Sequence, residues 1–456
     1  MQPKPDKDSN KLGTDSNTGL VPMLAGFWGK ASGVFTPRSL SDGGYIRFYR
    51  TYFGVLSFAA LFTLFSSLGQ TFLLSFFQPY WMEAFDLSAG AIGRFYGIAT
   101  LASGLLLPWV GRKLDTVPIE RFSLVSGLAL GGFALLTAMV WSPWVLLICF
   151  FGLRFFGQGV APNVAMTLTG RSFDKDRGKA VSIAGLGFPL GEAFFPALLT
   201  VMIVAIGWRM SWVVLAAMVF LLLVPLSHYL LRMGTPRSQL EESGSGDGKT
   251  AGSGSGKPLP RSFFLSDWRF YGIVVALLPL PFFTTGIIFF QTILVESRGW
   301  TPAAFAFGFA VFAFVRASFS LVAGHWIDRW SALSLVSLQL LLYIFALAGL
   351  TLDTVVGAYL FFIGIGLSFG LGGSVMSAVW AEIYGTTSLG TIRGITGSFG
   401  VFSTALAPAF FGMSLDMGLS LQQLIVLSFV SSVLVFLPLS LITVRSLKQR
   451  PPQLPS

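Results

Sequence analysis

The sequence predicts an all-α membrane protein of twelve transmembrane helices in two related six-helix bundles, with both termini cytoplasmic. Three observations predict it. Apolar residues are 54% and charged residues 11% of the 456, and mean hydropathy is +0.73, so most of this chain has lipid as its solvent. About twelve apolar stretches reach the roughly 20 residues that a bilayer-crossing helix needs. A polar signature also occurs twice between them, as Gly111-Arg112-Lys113-Leu114-Asp115 and Gly324-His325-Trp326-Ile327-Asp328-Arg329, 213 positions apart. Gly157-Gln158-Gly159 and Gly370-Leu371-Gly372 repeat that offset. Duplicated halves of this kind rock around a central site in many carriers.

Residues 1–50 form a cytoplasmic leader, partly disordered, without the short apolar core and cleavage site of a signal peptide. The first long apolar run therefore stays as a helix. The N-terminal bundle covers 51–232, with crossings at 53–79, 90–110, 121–142, 144–169, 180–206 and 210–231. Residues 233–269 include two Gly/Ser runs and form a flexible cytoplasmic tether. The C-terminal bundle covers 270–445, with crossings at 271–295, 303–323, 331–351, 355–381, 391–413 and 419–443, and 446–456 is a cytoplasmic tail. Pro189, Pro196, Pro279, Pro281 and Pro408 bend their crossings. The glycines of crossings four, five and ten let helix backbones approach closely. None of them forms a phosphate loop, since no strand precedes and no Gly-Lys-Ser/Thr follows.

Positive charge fixes the orientation. The leader, the tether, the tail and alternate loops collect the lysines and arginines, whereas the loops on the opposite side carry only Arg209 and Arg298. The positive-inside rule puts both termini in the cytoplasm. The net charge of +10 follows from this topology, so it does not argue for nucleic acid. The lone Cys149 excludes an intrachain disulfide, and neither it nor His228 and His325 forms a metal or catalytic cluster. No cofactor, no metal and no enzyme activity are expected.

The paired Gly-x-x-x-Asp loops and Arg154-Phe155-Phe156-Gly157-Gln158-Gly159 in crossing four resemble motifs of the major facilitator superfamily. The resemblance spans about 50–445 and implies two six-helix bundles with alternating access. Residues 173–187 resemble the entry to helix five of the monocarboxylate porters and oxalate/formate antiporters, and Asp42-Gly43-Gly44-Tyr45 is similar to the motif before helix one of the porters. Arg316 falls where that branch keeps an anion-binding arginine. The chain departs from it at Phe312, where the porters have an acid, and in lacking lysines in crossings one and eleven. The resemblance makes Gly111, Asp115, Gly324, Asp328 and Arg329 a conformational latch on the cytoplasmic side.

An ionisable side chain near the bilayer centre costs about 2.5–3.5 kcal/mol on insertion scales. Arg154, Glu192 and Arg316 pay it; other charges lie near helix ends and reach water. Arg316 has no acid in its own neighbourhood and offers a planar fork to a carboxylate. Arg154 and Glu192, on consecutive crossings, are expected either to pair structurally or to couple protons. Gln70, Asn163, Thr284 and Gln291 are further candidates for solute contact, because polar groups in apolar helices are satisfied by a wet cavity.

The expectation is a monomeric, multi-pass secondary transporter of the inner or plasma membrane, moving a small organic anion, a monocarboxylate by preference, coupled to protons. A proton-coupled multidrug or metabolite efflux antiporter is the alternative. A membrane-embedded enzyme or sensor is a third class, disfavoured by the absence of a catalytic cluster or a soluble signalling segment.

Overall fold

A computed structural model describes residues 44–173, 176–234, 261–385 and 388–449. The leader up to residue 43, most of the tether and the end of the tail lie outside the described residues. Two compact units divide the chain, Met1–Tyr52 and Phe53–Ser456. The described part of the first is mostly one short helix, α1 (Gly44–Thr51).

The second unit is helical, with no strand among its described residues. Its first half holds α2 (Phe53–Phe65), α3 (Thr71–Leu74), α4 (Gln78–Phe85), α5 (Ala89–Thr116) and α6 (Ile119–Ala138). It continues with α7 (Pro143–Gly152), α8 (Ala161–Ser172), α9 (Arg177–Gly185), α10 (Gly187–Met218) and α11 (Val224–Gly234). The second half opens with α12 (Arg261–Ser266), α13 (Trp268–Leu277), α14 (Pro279–Phe289), α15 (Gln291–Ser297) and α16 (Pro302–Trp330). It closes with α17 (Ala332–Thr351), α18 (Val355–Tyr384), α19 (Leu389–Asp416), α20 (Leu421–Ser431) and α21 (Leu437–Gln449).

Among the described residues ten helices, or up to eleven with one bent pair joined, are long and apolar enough to cross a membrane. The expected fifth and sixth crossings form one helical stretch of 56 residues, broken at Gly207 with φ 75° and ψ 165°. At about 1.5 Å per residue that stretch exceeds twice the roughly 30 Å hydrocarbon layer, so it has length for two passes. The expected first crossing is not one helix. Ser66 and Ser75 hydroxyls donate to the carbonyls of Thr63 at 2.6 Å and Phe72 at 2.8 Å, local bonds that compete with the helix ladder. Between them Gln70 is extended, at φ −82° and ψ 149°.

The duplication reaches further than the motifs. Ser88 caps α5 by accepting from the Ala91 N–H at 3.1 Å, and Thr301, 213 positions on, caps α16 through Ala304 at 3.3 Å. The π-helices Val219–Leu223 and Ser432–Phe436 are offset by the same 213 residues. So are Gln78 and Gln291, each the first residue of a short helix.

Contacts between helix ends define two faces. On the distal face Arg209 donates to the carbonyls of Ala138 and Val140 at 3.1 and 2.9 Å, and Arg298 to those of Leu350 and Leu352 at 2.8 and 3.2 Å. The two arginines of the distal loops therefore satisfy the orphan carbonyls that end α6 and α17. On the terminal face, which holds Gly234, Arg261 and Gln449, Arg171 donates to the Leu114 carbonyl at 3.1 Å and Tyr384 to Asp267 at 2.9 Å. Tyr384 thus bonds within its own half.

Candidate functional site

Arg316, on α16 in the second half, is bound to Glu192, on α10 in the first. The expectation that Arg316 lacks a counter-ion is therefore wrong. Its acid arrives from a helix 124 positions away in sequence, which local inspection could not find. Glycines set this approach. A Cβ on Gly370 would stand 2.9 Å from the Arg316 carbonyl oxygen, and one on Gly191 would stand 2.1 Å from Ser67 Oγ. Each partner is thus carried on a helix seated tightly in its own half, with small residues as the packing surface.

The pair is half enclosed. The Glu192 side chain is 13% exposed and that of Arg316 31%, and the second Glu192 oxygen, Oε2, is buried without a hydrogen-bond partner. The guanidinium also lies 5.7 Å from the Phe312 ring and 5.9 Å from the Phe369 ring, close enough for cation–π attraction. Phe312 and Phe369 together form an aromatic shelf against the guanidinium.

Arg154 does not pair with Glu192, correcting the second expectation. It donates from Nε to Thr100 Oγ1 and from Nη1 to the Gly69 carbonyl, both at 3.1 Å, and lies 4.9 Å from the Tyr96 ring. The cause is the break after Gly69, which ends the helix ladder and leaves carbonyls for a donor to satisfy. The helix of Arg154 widens into a π-helix at Leu153–Val160. A Cβ on Gly157 would stand 2.6 Å from the Gly69 N, so the repeated glycine of the motif is what lets Arg154 reach that break. Arg154 is 2% exposed and staples one half internally.

Of the other candidates, Gln291 is sealed between the halves: its Nε2 donates to Ser75 Oγ at 2.8 Å, and the neighbouring Thr292 hydroxyl donates to Gln78 Oε1 at 3.2 Å. Thr284 is 8% exposed, with its hydroxyl unbonded. Gln70 is half-buried, and Asn163 is exposed, with Nδ2 donating to Gly159 O at 2.8 Å; neither bonds to the Glu192–Arg316 pair. Of the latch, Gly111 has nothing within 4 Å of where a Cβ would stand, and Arg329 is exposed near the end of α16. The side chains of Asp115 and Asp328, and the surroundings of Gly324, lie outside what is described.

The halves meet unequally at the two faces. Near the distal face a Cβ on Gly93 would come 2.2 Å from Pro408 O, and one on Gly412 2.2 Å from Ala89 O. Nearer the terminal face, Gly185, Gly394, Gly397 and Gly400 have nothing within 4 Å. The halves touch backbone to backbone at the distal side, whereas these four glycines face open space.

A family model described as Major Facilitator Superfamily matches residues 59–408. Two solved structures of a bacterial homolog to the human lysosomal transporter Spinster, inward-facing and either unoccupied or occupied, are similar in fold, each with TM-score 0.67. Their identities are 17% and 16%, over 89% of this chain and 99% of theirs. No curated protein matches the chain in sequence.

Proposed function

We propose, from the premise that the chain belongs to the Major Facilitator Superfamily, that this transporter moves a small organic anion, a monocarboxylate by preference, together with a proton. The observation that carries the reading is the Glu192–Arg316 pair joining the two halves, with one carboxylate oxygen buried and unbonded. A proton on Glu192 cancels its charge and frees the guanidinium; a solute carboxylate then takes the place that Glu192 held. Empty and fully loaded, the site is neutral. Loaded with the proton alone or the anion alone, it carries a net charge in a low-dielectric layer, at about 2.5–3.5 kcal/mol. That penalty is the coupling.

The same reading has twelve crossings, with the terminal face cytoplasmic, as the distribution of lysine and arginine supports. The protein works as a monomer in the inner or plasma membrane, and the closed distal side makes the state described here inward-facing. The Gly111/Asp115 and Gly324/Asp328/Arg329 segments, which form the last turns of α5 and α16, close the cytoplasmic side in the opposite state.

Proteoliposome uptake tests the assignment. Arg316→Lys keeps the charge but loses the bidentate fork, so carboxylate uptake should fall at least tenfold in affinity or rate; unchanged transport removes Arg316 from the solute site. Proton-coupled efflux of lipophilic cations is the second reading, favoured by the unbonded Glu192 oxygen and by the Phe312 and Phe369 rings that flank its partner Arg316. Extrusion of cationic dyes, with no carboxylate uptake, would decide for it.

A further inference from the structure

We propose that Asp416 is the latch that holds the distal side of this transporter closed, a carboxylate of the second half capping the first turn of a helix in the first. Asp416 ends α19, and its Oδ2 accepts from the Gly90 N–H at 3.0 Å and from the Ser88 hydroxyl at 2.7 Å. The first N–H groups of any helix have no partner in their own ladder. In α5, Ser88 accepts from Ala91 at 3.1 Å, and the Gly90 donor is taken by Asp416. The Ser88 hydroxyl thus caps its own helix and donates its hydrogen across the interface. A negative charge at a helix N-terminus is favourable in itself, and bonds to a charged acceptor are stronger than neutral ones.

A second, independent observation puts these groups in a closed gate. Gly90 is pressed so tightly that a Cβ there would stand 2.4 Å from Asp416 Oδ2 and 3.2 Å from Arg94 Nη1. Along the same contact Gly93 meets Pro408 and Gly412 meets Ala89, while Gly394, Gly397 and Gly400 at the other end of α19 face open space. Helix α19 leans on α5 from its distal end as far as Val401, which a Cβ on Gly104 would meet at 2.5 Å. Exposing the site to the distal side requires those ends to part, and parting them breaks both bonds to Asp416. The latch rests on the transporter reading but not on the identity of the solute or on protons.

The test is the distance between distal ends in the full chain, reconstituted in liposomes. Spin labels at Ala84→Cys and Leu419→Cys report it, and the native Cys149 is buried and stays unlabelled. The unsubstituted latch should give one short distance. Asp416→Asn, which keeps the shape, and Asp416→Ala should both raise the long-distance population about tenfold relative to the short. Ser88→Ala, which leaves the bond from Gly90, should raise it less. Unchanged distances in both Asp416 variants would overturn the latch. That outcome is separable from failure of the solute assignment, because distances are read without substrate.

Discussion

At the scale of residues, three charges stand out within apolar helices, and the fold groups them differently from the sequence. Arg316 and Glu192 form one unit, and Arg154 stands apart. Glu192→Gln should therefore remove proton-driven accumulation while leaving carboxylate exchange across the membrane, as read by counterflow in liposomes; preserved accumulation against a gradient would exclude Glu192 as the proton carrier. Arg154→Met leaves the Gly69 carbonyl and Thr100 hydroxyl without their donor, at about 1–3 kcal/mol for each buried group that stays unbonded. The expected result is a melting temperature lowered by several degrees, with counterflow retained in the folded fraction. Full stability with lost transport would instead place Arg154 in the transport cycle. The intramembrane position of all three residues was legible in the sequence, because charge in an apolar run is conspicuous. Their partnerships were not, since α10 and α16 meet only after the two halves are assembled.

Elements carry the second level of design. The offset of 213 residues recurs in motif glycines, helix caps, π-helices and the paired glutamines at 78 and 291, so the halves share local geometry and not merely composition. The twin glutamines then act at the interface: Gln291 bonds to Ser75, and Gln78 accepts from Thr292. Two glycine substitutions test how these elements hold the site. Gly207, at φ 75° and ψ 165°, sits where residues with a Cβ are strained by about 1–3 kcal/mol. Gly207→Ala should lower thermal stability by that amount without altering substrate preference. Gly370→Leu would drive a side chain into the Arg316 backbone; it should cut transport far more than it cuts the yield of folded protein, and equal losses of both would show a packing role only.

Across the whole molecule, the prediction is electrical. One proton carried with one monovalent anion moves no net charge, so uptake should follow a pH difference and ignore an imposed potential. A membrane potential is worth about 2.3 kcal/mol per charge per 100 mV, a large effect if any net charge crosses. Uptake that changes with a potassium diffusion potential at fixed pH would refute one-to-one coupling. The asymmetry of the two faces belongs to this scale as well. Close glycine contacts and the Asp416 bonds on the distal side, against open glycines toward the other, arise from how the two halves pack rather than from any single helix.

The sequence by itself determined the membrane as solvent, the duplicated halves, and the family, because hydropathy, charge asymmetry and repeated motifs are local or periodic signals. It also marked Gly157 and Gly370 without revealing that one admits Arg154 to a helix break and the other seats the helix of Arg316. Only the tertiary structure decided which charge meets which, which helices break, and which side is shut. Those outcomes depend on contacts between chain segments more than one hundred residues apart, and no spacing within an apolar run encodes them.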